Sequence, residues 1–427
     1  MKKLFTLFAI IFCLHTKAQT WVTIPDAHFV TYLHALVPAA MHGDSLDISN
    51  TLVTTTTHSI SVYNKGITDL TGVQYFTSLT YLNCEDDPIT SLPVLPNSLT
   101  YLNCSNTFLS SLPLLPSSLV YLNCQHNQIS ALPTLPNSIN YLICSTNSLT
   151  TLPALPSSLD ILVCSENLLT SLPVLPNSVV LLSCGANSLS ILPALPNLLA
   201  YLDCGSNNLT TLPSLPNSLT ILYCGLNSLS TLPALPNTLT FLDCEDNPLT
   251  SLPTLPNSLR ELNCYRDSLT SLPVLPDSLA ALDCRYNQIQ CFPYIPKTIP
   301  PGELFINFNP FNCLPNYTKA MGPDTITYPL CAAGNTHGCN TTTGINKIAE
   351  LAQLNIYPNP AQNNFTVEVS TNDKQTISIF DVNGKQVLSQ TITGTTNIDA
   401  NNFNAGVYNI NIANSAGVAN KRLVIVK

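Results

Sequence analysis

A unit of twenty residues that recurs along the chain is the feature that most constrains its fold. The stretch "SLTYLNCSNTFLSSLPLLPS" covers residues 98–117, and nearly the same letters start again at Ser118. The consensus is L-x-x-L-x-C-x-x-N-x-L-x-x-L-P-x-L-P-x-S, and two flanking copies carry Val62 or Ile306 in place of the cysteine. Eleven copies have the cysteine, at positions 84, 104, 124, 144, 164, 184, 204, 224, 244, 264 and 284. A fixed period of this length predicts a solenoid of about thirteen stacked coils.

Each copy has the pattern of one short strand followed by a turn. Around Tyr101 apolar and polar residues alternate, so Leu102 and Cys104 are expected to face the core while Tyr101 and Asn103 face outward. An asparagine three residues after most cysteines marks the turn, where a stacked side-chain amide can pair with buried backbone groups. The L-P-x-L-P segment cannot be helical, because proline lacks an N–H and disfavours helical geometry in the preceding residue. The outer side of each coil is therefore expected to be polyproline-like.

This pattern resembles the leucine-rich repeat, L-x-x-L-x-L-x-x-N-x-L, in the short L-P-x-L-P form of bacterial effector and surface proteins. The resemblance covers residues 59–315. It implies a mostly β solenoid whose short parallel strands line a concave face. The third apolar residue of the family's strand is replaced here by cysteine.

The segments on either side of the repeats are expected to cap the apolar ends of the stack. Residues 19–58 predict a helical N-terminal cap, since Pro25 suits a first helical turn and an apolar stripe follows the helical period. The stripe consists of Ile24, Phe29, Leu33 and Leu36. Residues 316–352 predict a C-terminal cap and a polar linker.

Residues 353–427 read as short strands and turns, with a hairpin signal at Asn383-Gly384. They resemble the C-terminal sorting domain of the type IX secretion system. The matching residues are Tyr357, Pro358, Asn359, Pro360, Asp381, Gly384, Gly406, Tyr408 and the basic end at Lys427. The resemblance implies a small β-sandwich that engages the secretion machinery and directs passage across an outer membrane. It also implies that the domain is afterwards removed or used for attachment to surface polysaccharide.

The N-terminus has the form of a secretory signal peptide, predicted to cover residues 1–18. Lys2 and Lys3 precede the apolar stretch "LFTLFAIIFCL", and Thr16-Lys17-Ala18 forms a small-residue cleavage site. Eleven apolar residues are too few to span a bilayer as a helix, and we expect no transmembrane segment. The predicted location is outside the cell or on its outer surface, reached through the periplasm.

The charge distribution excludes two classes of partner. The net charge is −9, and the chain has no lysine or arginine between Lys65 and Arg260. Such a surface cannot neutralise phosphates, so nucleic acids and anionic lipid surfaces are poor partners.

The chain also lacks the common signatures of catalysis. Its seven histidines show no H-E-x-x-H spacing, and there is neither a G-x-S-x-G elbow nor a glycine-rich phosphate loop. We therefore expect a protein that is not an enzyme and that needs no cofactor or metal.

The column of cysteines has three interpretations. Cysteine can act as a small apolar side chain that fills the core beneath each strand, and we favour this interpretation. A disulfide ladder is disfavoured, because neighbouring Cβ atoms in the column would be about 4.8 Å apart, whereas a disulfide needs about 3.8 Å. A ladder of thiolates that binds a soft ion such as Cu(I) is the third interpretation.

Four later cysteines differ from the column and predict disulfide bonds. Cys291 and Cys313 occupy equivalent positions in adjacent coils, and Cys331 and Cys339 bracket a short polar loop. We favour Cys291–Cys313 and Cys331–Cys339, although four cysteines allow three connectivities.

The outward strand positions are the best candidates for function. Tyrosines supply a large amphipathic contact area at a low entropy cost, and an apolar stripe beside them suggests a binding surface. Packing across neighbouring strands is the structural alternative. Acidic turns at Glu85-Asp86-Asp87 and Glu245-Asp246-Asn247 lack the spacing of a calcium loop, so solvated charge explains them better. The candidate ligand-binding residues are Tyr81, Tyr101, Asn103, Tyr121, Asn123, Tyr141, Ile143, Ile161, Val163, Leu181, Tyr201, Asp203, Tyr223 and Phe241.

These observations favour a secreted or surface-displayed module that binds a protein through its concave face. Two alternatives stay open. One is a glycan-binding adhesin that uses the same tyrosines to stack on sugar rings. The other is a structural surface spacer without a specific ligand.

Overall fold

We describe the protein from a computed structural model, which defines residues 20–311, 313–316, 355–368, 374–382, 385–414 and 417–427. The chain divides into two compact units, one with the repeats and one with the C-terminal strands. The predicted signal peptide, the Cys331–Cys339 loop and the Asn383-Gly384 turn lie outside the described residues.

The N-terminal cap combines the predicted helix with a small sheet. Asp26 is the N-cap of the helix, and its carboxylate accepts hydrogen bonds from Phe29 N at 2.9 Å and from Thr68 N at 2.7 Å. Burial opposes ionisation of Asp26, but these hydrogen bonds outweigh it and the pKa is lowered. The cap is thereby joined to the first coil. Its elements are strand β1 (Trp21–Thr23), helix α1 (Ala27–Leu36), a 3₁₀ turn (Pro38–Ala40), β2 (Met41–His42), β3 (Ser45–Asp47) and a π turn (Leu52–Thr56), with the strands in the order β1-β3-β2.

The repeats form one parallel sheet of thirteen strands, one from each coil, which confirms the predicted solenoid. Its strands are β4 (Ser59–Ser61), β5 (Tyr81–Asn83), β6 (Tyr101–Asn103), β7 (Tyr121–Asn123), β8 (Tyr141–Ile143), β9 (Ile161–Val163), β10 (Leu181–Ser183), β11 (Tyr201–Asp203), β12 (Ile221–Tyr223), β13 (Phe241–Asp243), β14 (Glu261–Asn263), β15 (Ala281–Asp283) and β16 (Leu304–Phe305). A 3₁₀ turn at Val73–Tyr75 lies between β4 and β5.

The register of this sheet places the same repeat position above itself in successive coils. Leu182, for example, pairs with Leu162 on one side and with Leu202 on the other. Leu182 and Cys184 are fully buried, as are the leucines and cysteines at these positions in nearly every coil. The core is therefore a stack of leucine and cysteine layers along the solenoid.

The turn after each strand is closed by a ladder of asparagine side chains, as the repeat predicted. Asn187 Nδ2 donates to the carbonyl oxygens of Cys164 and Cys184, each at 3.1 Å, and Asn187 Oδ1 accepts from Leu169 N at 3.0 Å. Three coils carry Asp87, Thr107 or Asp267 at this position instead. The ladder pairs backbone groups that would otherwise be buried without partners.

The side of the coil opposite the strands has no helix or strand along L-P-x-L-P, as expected from its prolines. Serine side chains connect neighbouring coils there. Ser118 Oγ, for example, is 2.7 Å from both Asn97 O and Leu99 O of the preceding coil. The polyproline-like geometry of this segment stays a prediction.

The C-terminal unit is a small β-sandwich, as predicted. Both of its sheets contribute to a single apolar core around Phe365, Ile377 and Ile410. One sheet has the order β17-β18-β21 and the other β20-β19-β22-β23. The strands are β17 (Asn355–Tyr357), β18 (Asn364–Glu368), β19 (Gln375–Phe380), β20 (Gln386–Ile392), β21 (Thr396–Asp399), β22 (Gly406–Asn414) and β23 (Gly417–Ile425).

Candidate functional site: the outward face of the repeat sheet

The outward side chains of β4–β16 form the surface that we call the sheet face, which corresponds to the concave face implied by the repeat. Tyrosine rings stack along its N-terminal half. The ring centroids of Tyr81 and Tyr101 are 4.5 Å apart, those of Tyr101 and Tyr121 are 4.3 Å apart, and Tyr121 and Tyr141 follow at 6.0 Å. The in-register strands cause this stacking, because they hold equivalent side chains one above another.

The surroundings of Tyr101 within this row affect its hydroxyl group. Burial raises the pKa of Tyr101, and the neighbouring hydroxyl groups of Tyr121 and Tyr81 raise it further. The Tyr101 phenol is therefore neutral near pH 7 and offers a hydroxyl group. Tyr141, at the end of the row, remains 38% exposed.

Two asparagines in the predicted site are more covered than the alternating pattern suggested. Asn103 is only 6% exposed and Asn123 only 7%. Asn103 Nδ2 donates to Glu85 Oε2 at 2.9 Å, and Asn103 Oδ1 accepts from Ser105 N at 3.1 Å. Since Asn103 is already hydrogen-bonded within the chain, it is a weak candidate for direct ligand contact.

The apolar stripe lies beside the tyrosines on the same face. Ile143, Ile161, Val163 and Leu181 come from adjacent strands and pair in register. All four are half-buried, so cross-strand packing covers part of each side chain and the rest faces outward. The stripe is thus less exposed than the sequence suggested, but it continues the surface of the tyrosine row.

The C-terminal half of the face combines aromatic rings with carboxylates. Tyr223 lies between Phe241, at 4.6 Å between centroids, and Tyr201, at 5.8 Å. A groove of about 260 Å³ adjoins them, lined by Asp203, Tyr223 and other residues. Three consecutive coils have glycine directly after the cysteine here, at Gly185, Gly205 and Gly225. The sequence shows these three glycines, but only the structure shows that they line a groove.

The eleven column cysteines are free thiols and are buried, in agreement with a core role. Burial raises the pKa of Cys124 to about 12 and that of Cys164 to about 12. Cys104 Sγ donates to Asn123 O at 3.5 Å. The thiols are therefore protonated near pH 7.

The later cysteines differ from the column. Cys291 and Cys313 are each disulfide-bonded. Their pairing with each other stays a prediction, and Cys331 and Cys339 lie outside the described residues.

The acidic turns make hydrogen bonds within the chain. Asp87 Oδ1, for instance, accepts from Lys65 N at 2.8 Å and from Ile67 N at 3.0 Å. Within the described ranges, no group of three or more histidine, cysteine, aspartate or glutamate side chains has a metal-binding arrangement.

The residues of the sorting-domain resemblance hold the C-terminal sandwich together. Asn359 Oδ1 accepts from Val424 N at 2.9 Å, and Asn359 Nδ2 donates to Arg422 O at 2.8 Å, which fixes the Tyr357–Pro360 segment to β23. Asp381 Oδ1 accepts from Lys385 N at 2.9 Å beside the turn between β19 and β20. These are structural roles for residues that the resemblance assigned to sorting.

The end of this unit is fixed in the same way. Tyr408, whose hydroxyl donates to Asn404 O at 2.9 Å, is buried. Lys427 Nζ donates to Asn401 O at 2.8 Å, and Gly406 starts β22. Pro358 and Pro360 lie in the fixed segment, and Gly384 lies outside the described residues.

Comparison with known proteins assigns both units. Residues 355–426 match the family described as the secretion system C-terminal sorting domain. The solved structure of YopM from Yersinia enterocolitica WA-314 is similar at 37% identity and a TM-score of 0.58, over 60% of this chain and 56% of that one. This chain is a leucine-rich repeat protein with a type IX sorting domain.

Two further structures share the repeat fold. YopM from Yersinia pestis, described as a leucine-rich effector protein, is 29% identical with a TM-score of 0.52, over 64% of this chain and 88% of that one. The functional domain of InlJ from Listeria monocytogenes, described as including a cysteine ladder, is 23% identical with a TM-score of 0.57, over 96% of this chain and all of that one. The leucine-rich repeat protein thus spans little more than half of the Y. enterocolitica chain, and no curated protein matches it.

A final observation concerns membranes. None of the helices that the structure describes in this leucine-rich repeat protein has the length and apolar character needed to span a bilayer.

Proposed function

We propose that this protein is a non-enzymatic binding module that recognises a protein partner through its sheet face, centred on Tyr81, Tyr101, Tyr121 and Tyr141. The observation that carries the proposal is the stacked tyrosine row. Stacked rings are held in place before any ligand arrives, so binding loses little side-chain entropy. The other residues of the predicted face extend this surface.

The covered faces of the stacked tyrosine rings favour a protein partner over a glycan. Sugars stack on an exposed aromatic face, whereas the faces of Tyr101 are covered by Tyr81 at 4.5 Å and by Tyr121 at 4.3 Å. The ring edges and hydroxyl groups remain for contact. The half-buried Ile161 and Leu181 beside the row suit apolar side chains of a protein.

The C-terminal sandwich supports export by the type IX secretion system to the cell surface or the medium. We propose that a signal peptide at residues 1–18 starts this route and that the sandwich then engages the secretion machinery. We also propose a Cys291–Cys313 disulfide, which suits an oxidising compartment.

The role of the C-terminal sandwich in export can be tested by deleting it. Deletion of residues 354–427 should leave the protein in the periplasm, and normal surface delivery of the truncated chain would contradict the sorting role.

A glycan array probed with the mature chain should give no specific signal. A specific glycan that binds wild type but not the variant Tyr101→Ala/Tyr121→Ala/Tyr141→Ala would replace the protein partner by the adhesin alternative.

The same triple variant tests the face itself. We expect it to lower affinity for a protein partner at least about tenfold, since central aromatic residues dominate binding energy. The matched control replaces Val94, Leu114 and Val174, which are 74%, 85% and 85% exposed away from the strands, by alanine. Equal retention of every partner by both variants would favour the spacer alternative.

A further inference from the structure

The coil that contains Arg285 shows how this repeat holds a guanidinium group. Arg285 Nε donates to Asp283 Oδ1 at 3.0 Å, and Arg285 Nη2 donates to Asp283 Oδ2 at 2.5 Å. The guanidinium carbon also lies 4.9 Å from the centroid of the Phe305 ring and 5.3 Å from that of Tyr265. The cation is thus bound by a bidentate carboxylate and by aromatic rings of the two neighbouring coils.

Four coils earlier the same positions carry the aspartate and one aromatic ring but no arginine. Asp203 directly precedes its coil's cysteine, as Asp283 does, and Tyr223 has the place of Phe305 in the following coil. The position of Arg285 is taken by Gly205. The carboxylate and the ring are therefore present, while the side chain that would join them is missing.

The surrounding glycines keep this place open, and we call it the Gly205 notch, lined by Asp203, Gly205, Tyr223 and Gly185. A Cβ atom on Gly185 would lie 2.9 Å from Asp203 Oδ1, so a side chain there would displace the carboxylate. The equivalent of the Tyr265 ring is also absent, because Gly185 occupies that position. The notch belongs to the groove of about 260 Å³ on the sheet face.

Among the residues that the structure describes, no cation is paired with the carboxylate of Asp203 in the notch. Asp203 accepts hydrogen bonds from Ser183 Oγ at 2.9 Å and from Gly205 N at 3.1 Å, both uncharged donors. Residues 66–259 contain no lysine or arginine but ten acidic residues, among them Asp243 and Glu245 beside the groove. The ion pairs found in the described part of the chain lie elsewhere, at Arg266 and Arg285.

We propose that the Gly205 notch binds an arginine side chain of the protein partner, with the guanidinium paired to Asp203 and in contact with the Tyr223 ring. The proposal rests on the proposed function, since it names one chemical feature of the partner. Arginine is favoured over lysine because a planar guanidinium can make the bidentate pair and the ring contact together. The intrachain example at Arg285 has both contacts.

The test uses small probes on the full mature chain. Tyrosine rings are labelled with ¹³C, the Tyr223 signal is identified from the variant Tyr223→Phe, and N-acetyl-arginine amide is titrated while the ring resonances are followed by NMR. We expect a saturable shift of Tyr223, with a dissociation constant at least about fivefold lower than for N-acetyl-lysine amide. The uncharged isostere N-acetyl-citrulline amide should produce no saturable shift.

Three variants sharpen the result. Gly205→Arg should fill the notch in the manner of Arg285 and abolish the shift, while thermal unfolding shows that the chain still folds. Asp203→Asn should weaken binding at least about fivefold, whereas Asp160→Asn, which changes an acid outside the groove, should have no effect. Absence of a saturable Tyr223 shift, equal binding of lysine or citrulline amide, or an unchanged shift in folded Gly205→Arg would overturn the proposal.

Failure of this inference is distinguishable from failure of the proposed function. The variant Tyr101→Ala/Tyr121→Ala/Tyr141→Ala changes other coils and should bind arginine amide as wild type does. Suppose that the triple variant loses the protein partner and that arginine amide causes no shift of Tyr223 in the wild-type chain. The sheet-face proposal would then stand, and only the arginine site would be removed.

Discussion

The rings of Tyr101 and Tyr121 stack with centroids 4.3 Å apart and planes 5° from parallel. This contact follows from the pairing of the two residues in adjacent parallel strands. A period of twenty residues without insertions between them keeps equivalent side chains in contact from coil to coil. The repeat therefore builds both the core and an ordered outer surface.

The asparagine ladder should make a large contribution to stability. Asn187→Ala leaves the carbonyl of Cys164 and the amide of Leu169 without their side-chain partner. We expect a loss of about 3 kcal/mol in the free energy of unfolding, measured by chemical denaturation. The control Asn177→Ala removes an exposed asparagine from the preceding coil and should change the free energy of unfolding by less than about 0.5 kcal/mol. Equal effects of the two variants would contradict the ladder's role.

The residue before each ladder position is in the left-handed conformation, and Thr146 is a poor residue for it. Thr146 has a φ of 53°, and β-branched side chains are strained there. Asn106 holds the same place in an earlier coil with a φ of 52°. Thr146→Asn should therefore raise the free energy of unfolding by about 1 kcal/mol. The free energy should be measured by chemical denaturation, and a lower value for the variant would refute the argument.

Asp267 should make stability depend on pH. The pKa of Asp267 is raised to about 8, because burial and the nearby carboxylates of Asp246 and Asp243 together outweigh the hydrogen bond from Asn247 N. The folded state thus keeps a proton that the unfolded state releases near pH 4, so stability falls as pH rises from about 4 to 8. Below pH 4 both states are protonated and this loss is absent.

The variant Asp267→Asn has no titratable group at this position. It also carries the asparagine that most other coils have there. Unfolding measured at pH 4, 6 and 8 should show an advantage of the variant that grows with pH and reaches about 2 kcal/mol or more. A constant difference across this range would show that Asp267 does not titrate as described.

The column thiols should be inert in the folded protein. All eleven are buried, and burial raises the pKa of thiols such as Cys124 and Cys164. An aromatic disulfide reagent should label them only after denaturant is added, at the rate of unfolding. Rapid labelling of the folded chain at Cys104 or Cys144 would overturn the core interpretation.

The sequence predicted the solenoid well because its period and alternation are local and repeated. It did not predict the coverage of Asn103, because that depends on Glu85 reaching across from the neighbouring coil. The sheet of the N-terminal cap was also missed, since strands of two or three residues such as Met41–His42 and Trp21–Thr23 are too short to show alternation. The Gly205 notch became visible only when the coils were compared in register.

The most direct test of the sheet face is site-specific photo-cross-linking. A benzophenone side chain is placed at Tyr141 on the sheet face or at Leu114 on the outer side, and the mature chain is exposed to proteins of its natural surroundings. We predict that one protein is attached through position 141 and not through 114, and that alanine at Tyr81, Tyr101 and Tyr121 lowers its yield at least about tenfold. Equal attachment through both positions would contradict the account. An unchanged cross-linking yield in the variant with three alanines would contradict it as well.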